Sequence, residues 1–264
     1  MKKFLVIGNP INHSLSPKLH NYWLKENNIK ALYDREKLDN NDLENLIGRI
    51  RNKKLNGINV TVPFKKKIIS HLDNLTYEAE NTQSVNTVYL KDEKIIGHNT
   101  DIYGFESAIK GVGYNIKKKN ALILGAGGVV PSIIFALYNM KVAKIIITNR
   151  TKKNAENLKK LFRDLVIVNW GETVNFDLVI NATSIGLKID EELNLDFLKT
   201  SKDKFFYDVT YNPKETNFLK LAKKGGNKVE NGKKMFIYQA AEAFKIWHGT
   251  YPMIGEELDK FLDL

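Results

Sequence analysis

"ALILGAGGVVPSI", residues 121–133, is the stretch on which the fold turns. Ala121–Leu124 is an unbroken apolar run followed at once by glycine, and it reads as a strand buried on both faces. Gly125, Gly127 and Gly128 follow, and then a helical pattern with Pro131 in its first turn, where proline is tolerated. Strand, glycine turn and helix open a βαβ unit. A tight turn explains the glycines, and so does a cradle for pyrophosphate at a helix N-terminus. Val130 stands where the dinucleotide fingerprint usually has its third glycine or alanine, so the loop alone fits both readings.

The next strand, "KIIITNR" at 144–150, narrows the choice. NAD-binding units usually end their second strand in Asp or Glu, which holds the ribose 2′-hydroxyl. Here "TNRTKK", 148–153, contains no carboxylate, and Asn149, Arg150, Thr151 and Lys152 offer donors. Guanidinium forks onto phosphate and stacks on adenine, which suits a 2′-phosphate. A basic helix start is the competing explanation. Together the two segments favour NADP as cofactor.

Outward from this unit, strands and helices alternate, as in an α/β protein with a parallel sheet. Towards the N-terminus the pattern predicts a strand at Phe4–Gly8 and helices at Pro17 to about Asn27 and Asp42–Asn52. A strand at Ile58–Val62, a short helix at Lys66–Leu72 and a hairpin of Val85–Leu90 with Lys94–Gly97 follow. Towards the C-terminus it predicts helices at Val129–Met140 and Lys152–Phe162, with strands in "LVIV", "FDLVINATS" and "KFFYDVTY". Helical segments from Lys233 through Trp247 and again from Ile254 close the chain. A seam is expected near Asp101–Lys119, where a helix leads into a lysine-rich turn.

Composition bounds the function. The chain has 264 residues, 43% hydrophobic and 27% charged, enough for one or two globular domains. Without cysteine there are no disulfides, thiolate metal sites or thiol nucleophiles, which fits a cytoplasmic protein. The N-terminal apolar run, Phe4–Ile7, is too short for a signal peptide, and no stretch is long enough to span a membrane. A net charge of +11 raises nucleic acid as a partner. The lysines are scattered, however, and steering of an anionic small molecule uses the charge better. No histidine has metal-ligand partners at useful spacing. His13 and His20 are expected to be surface or structural residues.

Three further segments carry chemistry. In "GINVTVPFKKK", 57–67, Ile58, Val60 and Val62 form an apolar face. Asn59, Thr61, Pro63 and Lys65 fall on the other, where Pro63 stops the ladder and leaves Lys65 at the tip. In "GNPINHSLSPKLHN", 8–21, Ser16-Pro17 suits a helix N-cap and first residue. Ser14 has no such capping role, so its hydroxyl is expected to face a ligand. In "SVNTVYL" and "IIGHNTDIYGF", Asn86, Asn99 and Asp101 are either turn residues or polar groups at strand ends, where ligands bind in open α/β sheets.

The ordered set "GNPINHSLSP", "GINVTVPFKK", "SVNT", "HNTD", "GAGG", "NRT", "INATSIG", "YDVTYNP" and "YQAAEAFKIWHG" resembles the shikimate dehydrogenase family over nearly the whole chain. The resemblance implies NADPH-dependent reduction of 3-dehydroshikimate to shikimate, in aromatic amino acid biosynthesis. It implies an N-terminal α/β substrate domain at 1–100, a Rossmann-type NADP domain at 101–237, and C-terminal helices, 238–264, that return to the first domain. An active-site cleft would lie between the two lobes. Lys65 would be the catalytic acid/base with Asp101 as its partner. Ser14, Ser16, Thr61, Asn86, Tyr211 and Gln239 would hold the substrate. Gly125, Ala126, Gly127, Gly128 and Val129, then Asn149, Arg150, Thr151, Lys152, Lys153 and Asn154, would hold NADP. Thr183, Val209 and Gly232 would line the nicotinamide side.

No metal is implied, and the enzyme would work as a monomer or homodimer. Departures from the family pattern occur at Gln83, Ile102 and Lys233–Phe236, which bear on substrate scope and cofactor fit. A quinate/shikimate dehydrogenase with broader cofactor use is the near alternative. A redox-inactive NADP sensor on the same scaffold is a second, against which Lys65 and Asp101 speak. A basic nucleic-acid-binding protein is a third.

Overall fold

A computed structural model of the chain describes residues 1–188, 191–193, 195 and 202–262. Within them the chain forms two compact units: Met1–Gly104 with the segment from Ile237 onward, and Phe105–Phe236. The last two positions of the expected returning helices, 263–264, lie outside the described residues.

The first unit is built on one sheet. In chain order its elements are β1 (Lys2–Gly8), α1 (Ser16–Glu26), β2 (Ala31–Lys37), α2 (Leu43–Arg51) and β3 (Gly57–Val60). Then come β4 (Asn74–Leu75), α3 (Tyr77–Thr82), β5 (Thr87–Lys91) and β6 (Lys94–His98). The strands lie in the order β2-β1-β3-β5-β6-β4. β1 runs parallel to β2 and β3, while β5 is antiparallel to β3 and β6. Leu5, Ile7, Leu46, Ile47, Ile50, Ile58 and Val60 share one core beneath it.

The C-terminal helix Lys233–His248 contributes Trp247 to this unit, against Phe4 with ring centroids 5.0 Å apart. A Cβ at Gly57 would collide with the Trp247 indole, so glycine is what lets the helix seat on β3.

The structure refines the expected strand Ile58–Val62. The ladder ends at Val60, and Val62 is 56% exposed instead of facing inward. The Phe64 N–H donates to the Thr61 carbonyl at 2.9 Å, so the chain turns here and does not extend. The short helix expected at Lys66–Leu72 is a 3₁₀ turn, Lys67–His71. β2 escaped the pattern because only Tyr33 of its seven residues is buried. It is an edge strand, held by a seven-residue parallel register with β1 rather than by an apolar face.

The helix α4 (Asp101–Val112) carries the chain into the second unit, whose elements continue as β7 (Asn120–Leu124), α5 (Val130–Asn139), β8 (Lys144–Thr148) and α6 (Lys152–Leu161). Strands β9 (Val166–Ile167), β10 (Leu178–Asn181), β11 (Phe205–Asp208) and β12 (Lys228–Glu230) complete its sheet. They lie in the order β12-β11-β10-β7-β8-β9, and neighbouring strands run parallel. This is the doubly wound arrangement. The order reverses between β7 and β10, and ligands bind beyond the carboxyl ends of the strands at such a switch point.

Among the described residues no helix is long and apolar enough to cross a membrane. None of them form a cluster of three or more His, Asp or Glu that could hold a metal ion.

Candidate functional site

In the first unit, four of the expected residues converge. The turn after β3 brings up Lys65, and its backbone carbonyl accepts the Val85 N–H at 2.8 Å, tying the turn to the entry of β5. Asp101 opens α4, with its own N–H donating to Asn99 Oδ1 at 3.1 Å. Lys65 Nζ and Asp101 Oδ2 form an ion pair whose side chains are 13% and 8% exposed. Asn86 Nδ2 donates to Asp101 Oδ1 at 2.9 Å and lies 3.3 Å from Gln239 Oε1. Asp101 thus presents one oxygen to an amide and the other to an ammonium. A buried carboxylate is tolerable only with such partners.

The other expected substrate residues stand as follows. Thr61 is half-buried at the end of β3, its methyl so close over Gly8 that a Cβ there would fall 2.6 Å away. Ser14 corrects the expectation that it has no local role: its hydroxyl accepts the Ser16 N–H at 3.3 Å. Leu15 occupies the N-cap position and Ser16 is the first residue of α1, so Ser16 is not the cap. His20 is buried and stacked on Tyr33, with ring centroids 4.1 Å apart. Burial brings its pKa down to about 3, so the ring is a neutral core residue, while His13 is exposed. Asn99 is structural: its amide donates to Thr82 Oγ1 and to the Ser84 carbonyl.

In the second unit a cavity of about 540 Å³ opens among the strand ends. Gly125, Ala126, Gly127, Asn149, Arg150, Asn154 and Thr183 line it. Gly125 has φ +105°, and a Cβ there would lie 2.8 Å from the Ala182 carbonyl oxygen, so only glycine closes this turn. Asn181, at the end of β10, shapes the far wall. Its Oδ1 accepts from the Thr183 N–H and hydroxyl, and its Nδ2 donates to Asp208 Oδ2 and the Ile185 carbonyl. Asp208 is fully buried, and burial raises its carboxyl pKa despite bonds from Thr216 and Thr210.

Gly128, Val129, Thr151, Lys152, Lys153, Val209 and Gly232 are not among the residues lining that cavity. Thr151 is the N-cap of α6, and its carbonyl accepts from Asn149 Nδ2 at 2.8 Å. Lys152 and Lys153 are exposed in the first turn of α6, which holds no acid. Gly232 packs so closely on the Val209 carbonyl that any side chain there would collide with it. Tyr211 belongs to the second unit, and its ring stacks on Phe236 with centroids 4.8 Å apart.

Residues 6–88 match the family described as "Shikimate dehydrogenase substrate binding domain", and 106–217 match "Shikimate / quinate 5-dehydrogenase". The chain is 58% identical over 263 residues to the shikimate dehydrogenase (NADP(+)) of Pelagibacter ubique, covering 100% of this chain and 99% of the relative. The chain belongs to the shikimate dehydrogenase family. Among solved structures, the shikimate dehydrogenase of Aquifex aeolicus superposes with a TM-score of 0.90 at 36% identity, over 100% of this chain and 97% of that one. A shikimate 5-dehydrogenase of Thermus thermophilus, solved in complex with NADP(H) and shikimate, gives 0.89 at 32% identity, over 100% and 98%.

Within this member of the shikimate dehydrogenase family, Trp170, Ala182, Ser184, Ile185, Glu192 and Leu193 also line the second-unit cavity, and sequence reasoning missed all six. Trp170 was findable. It follows the short strand β9, and loops beyond strand ends carry ligand contacts in this fold. Glu192 follows no strand end or motif and carries no such signal.

Proposed function

We propose that this chain catalyses the NADPH-dependent, reversible reduction of 3-dehydroshikimate to shikimate, in the biosynthesis of chorismate and the aromatic amino acids. The observation that carries the reading is the buried Lys65–Asp101 pair, flanked by Asn86 and Gln239. An ammonium, a carboxylate and two amides match a ring carrying a ketone and several hydroxyls. A carboxylate accepts from a hydroxyl, and the lysine donates to the reacting oxygen.

The second-unit cavity fits a dinucleotide. Gly125 leaves no room for a side chain, while a Cβ at Gly128 would meet nothing within 4 Å, so the loop offers backbone to a pyrophosphate. Arg150 is exposed at the cavity edge, and no carboxylate among the described residues pairs with it. The lysines opening α6 oppose the helix dipole, an arrangement that an anion such as a 2′-phosphate would relieve. When bound, NADPH supplies the hydride.

The chain's own residues do the rest. Lys65 Nζ delivers a proton to the substrate oxygen in reduction and accepts it in oxidation. Asp101 orients Lys65 and holds a hydroxyl. Ser14, Ser16, Thr61, Asn86, Tyr211 and Gln239 hold the remaining substrate groups. Gly125, Ala126, Gly127, Gly128, Val129 and Asn149–Asn154 hold NADP, and Thr183, Val209 and Gly232 face its nicotinamide. Substrate recognition is placed mainly on the domain expected at 1–100 and cofactor binding on 101–237. We place the enzyme in the cytoplasm.

The test is NADPH oxidation measured with 3-dehydroshikimate and 3-dehydroquinate side by side. Turnover of the first alone or in large excess supports the reading. Turnover of neither removes it, and equal turnover of both makes the chain a quinate/shikimate dehydrogenase.

A further inference from the structure

Tyr33 is the one buried residue of the edge strand β2, and it is 2% exposed. Packing alone would be served by phenylalanine, because the ring stacks on His20 and lies tilted against Trp247. Yet the phenol has a specific partner, with Tyr33 Oη 2.6 Å from Asn59 Oδ1. Asn59 Nδ2 lies 3.0 Å from the Asn86 carbonyl and 3.1 Å from Thr87 Oγ1. Thr87 Oγ1 lies 3.0 Å from Asn86 Oδ1. Asn86 Nδ2 reaches Asp101 Oδ1, and Asp101 Oδ2 pairs with Lys65. Asn59, Asn86 and Thr87 are all buried.

The direction of every link is determined by groups that have no choice. The Thr100 N–H can only donate, and it donates to Asn86 Oδ1 at 2.8 Å. The other end of that amide is therefore the donor facing Asp101. The Asn86 peptide carbonyl can only accept, so the Asn59 atom against it is Nδ2, and Asn59 Oδ1 is left facing the phenol. Tyr33 must then donate, and burial keeps it protonated by raising its pKa. Thr87 accepts from Asn59, which leaves its own proton for Asn86 Oδ1.

We propose that Tyr33, Asn59 and Thr87 are positioning residues, a buried relay that orients the Asn86 amide and through it the Asp101 carboxylate of the Lys65–Asp101 pair. The relay rests on the reading of Asn86, Lys65 and Asp101 as the substrate-holding groups, and it holds them as one rigid object. Each link lost leaves a buried polar atom without its partner, and the amides can then turn over. Preorganised groups lose rate when their supporting shell loosens by small amounts.

The experiment uses the full chain and NADP-linked oxidation of shikimate, with Tyr33→Phe, Thr87→Val and Thr87→Ser. Tyr33→Phe and Thr87→Val are expected to lower kcat/KM for shikimate by about tenfold, the size of one lost buried hydrogen bond. KM for NADP should stay within about twofold, a change too small to mark a lost contact. Thr87→Ser keeps the hydroxyl and should keep kcat/KM within about threefold of wild type.

A purely structural role would lower the melting temperature of Tyr33→Phe and Thr87→Val and spare kcat/KM in the folded fraction. That outcome, or Thr87→Ser behaving like Thr87→Val, overturns the relay. Should Tyr33→Phe not fold, the Thr87 pair decides alone. If wild type turns shikimate over, a failure at these variants removes the relay and leaves the function standing. If wild type does not, both fall.

Discussion

Replacing Lys65 by alanine tests the site most directly, because catalysis and stability should change for separable reasons. As the acid/base, Lys65 should be worth about 10²–10⁴ in kcat, with little change in KM and none in NADPH binding. Stability follows from burial. The Asp101 side chain is 8% exposed, and in Lys65→Ala it keeps only the Asn86 amide on Oδ1. Stripping one member from a buried ion pair costs about 3–5 kcal/mol, because the other charge is left uncompensated. The surviving Asn86 bond argues for the lower end of that range.

Adding Asp101→Asn neutralises the orphan. The double variant should therefore be more stable than Lys65→Ala alone, although it has lost more native groups. In kcat the two losses should be less than additive, since the groups act as a unit. The assays are steady-state oxidation of shikimate, NADPH binding by fluorescence, and urea unfolding followed by ellipticity. A folded Lys65→Ala that binds NADPH and keeps kcat within about threefold of wild type refutes the acid/base role, because the expected loss is far larger. A double variant less stable than Lys65→Ala refutes the argument from the buried charge.

Arg150→Ala should weaken NADP binding about tenfold or more and leave NAD nearly unchanged, as loss of a charge-assisted phosphate contact implies. Equal loss of both cofactors in isothermal titration would assign Arg150 to the fold. Ser14→Ala should raise KM for shikimate without altering NADP affinity, and normal kinetics would remove the α1 loop from the substrate site. Gly232→Ala forces a methyl onto the Val209 carbonyl and should cost about 1–3 kcal/mol in urea unfolding, as overpacking does. An unchanged midpoint would contradict that contact. His20 gives a pH dependence with a definite sign. Its folded pKa, about 3, lies below its ordinary value of 6.5, so its contribution is complete above pH 6.5 and is lost as pH falls towards 3. Between pH 6.5 and pH 5 the loss is about 2 kcal/mol. His20→Phe should flatten the acid limb of the urea midpoint against pH, and an unaltered limb would mean the ring protonates freely in the folded state.

What the chain's letters determined are the features carried by local chemistry. Glycine at 125, 127 and 128 between an apolar run and a helix marks a nucleotide-type turn, because few other residues allow the backbone so close. The absence of a carboxylate after β8 speaks to the cofactor by charge alone. Pro63 announces the end of β3 because it cannot donate to a ladder, although the structure ends that ladder at Val60, two residues earlier than expected. Tertiary structure decided the rest. β2 and β12 have no apolar periodicity of their own and exist because an adjacent strand supplies hydrogen bonds to an edge.

Asn86 and Asp101 are 15 residues apart, and Gln239 is 153 residues from Asn86, so no local pattern joins them. Polar residues at strand ends look alike in a sequence whether they cap a turn or bind a ligand. Asn99 proved to be the first kind, and Asn86 is bonded to Asp101 and Gln239. Only the pairing of β5 with β3 and β6 distinguishes them, because register sets which amide meets which carboxylate. Ser14 makes the same point in reverse. Its hydroxyl looked unengaged until the backbone of Ser16 was seen to donate to it, a bond that depends on where α1 begins.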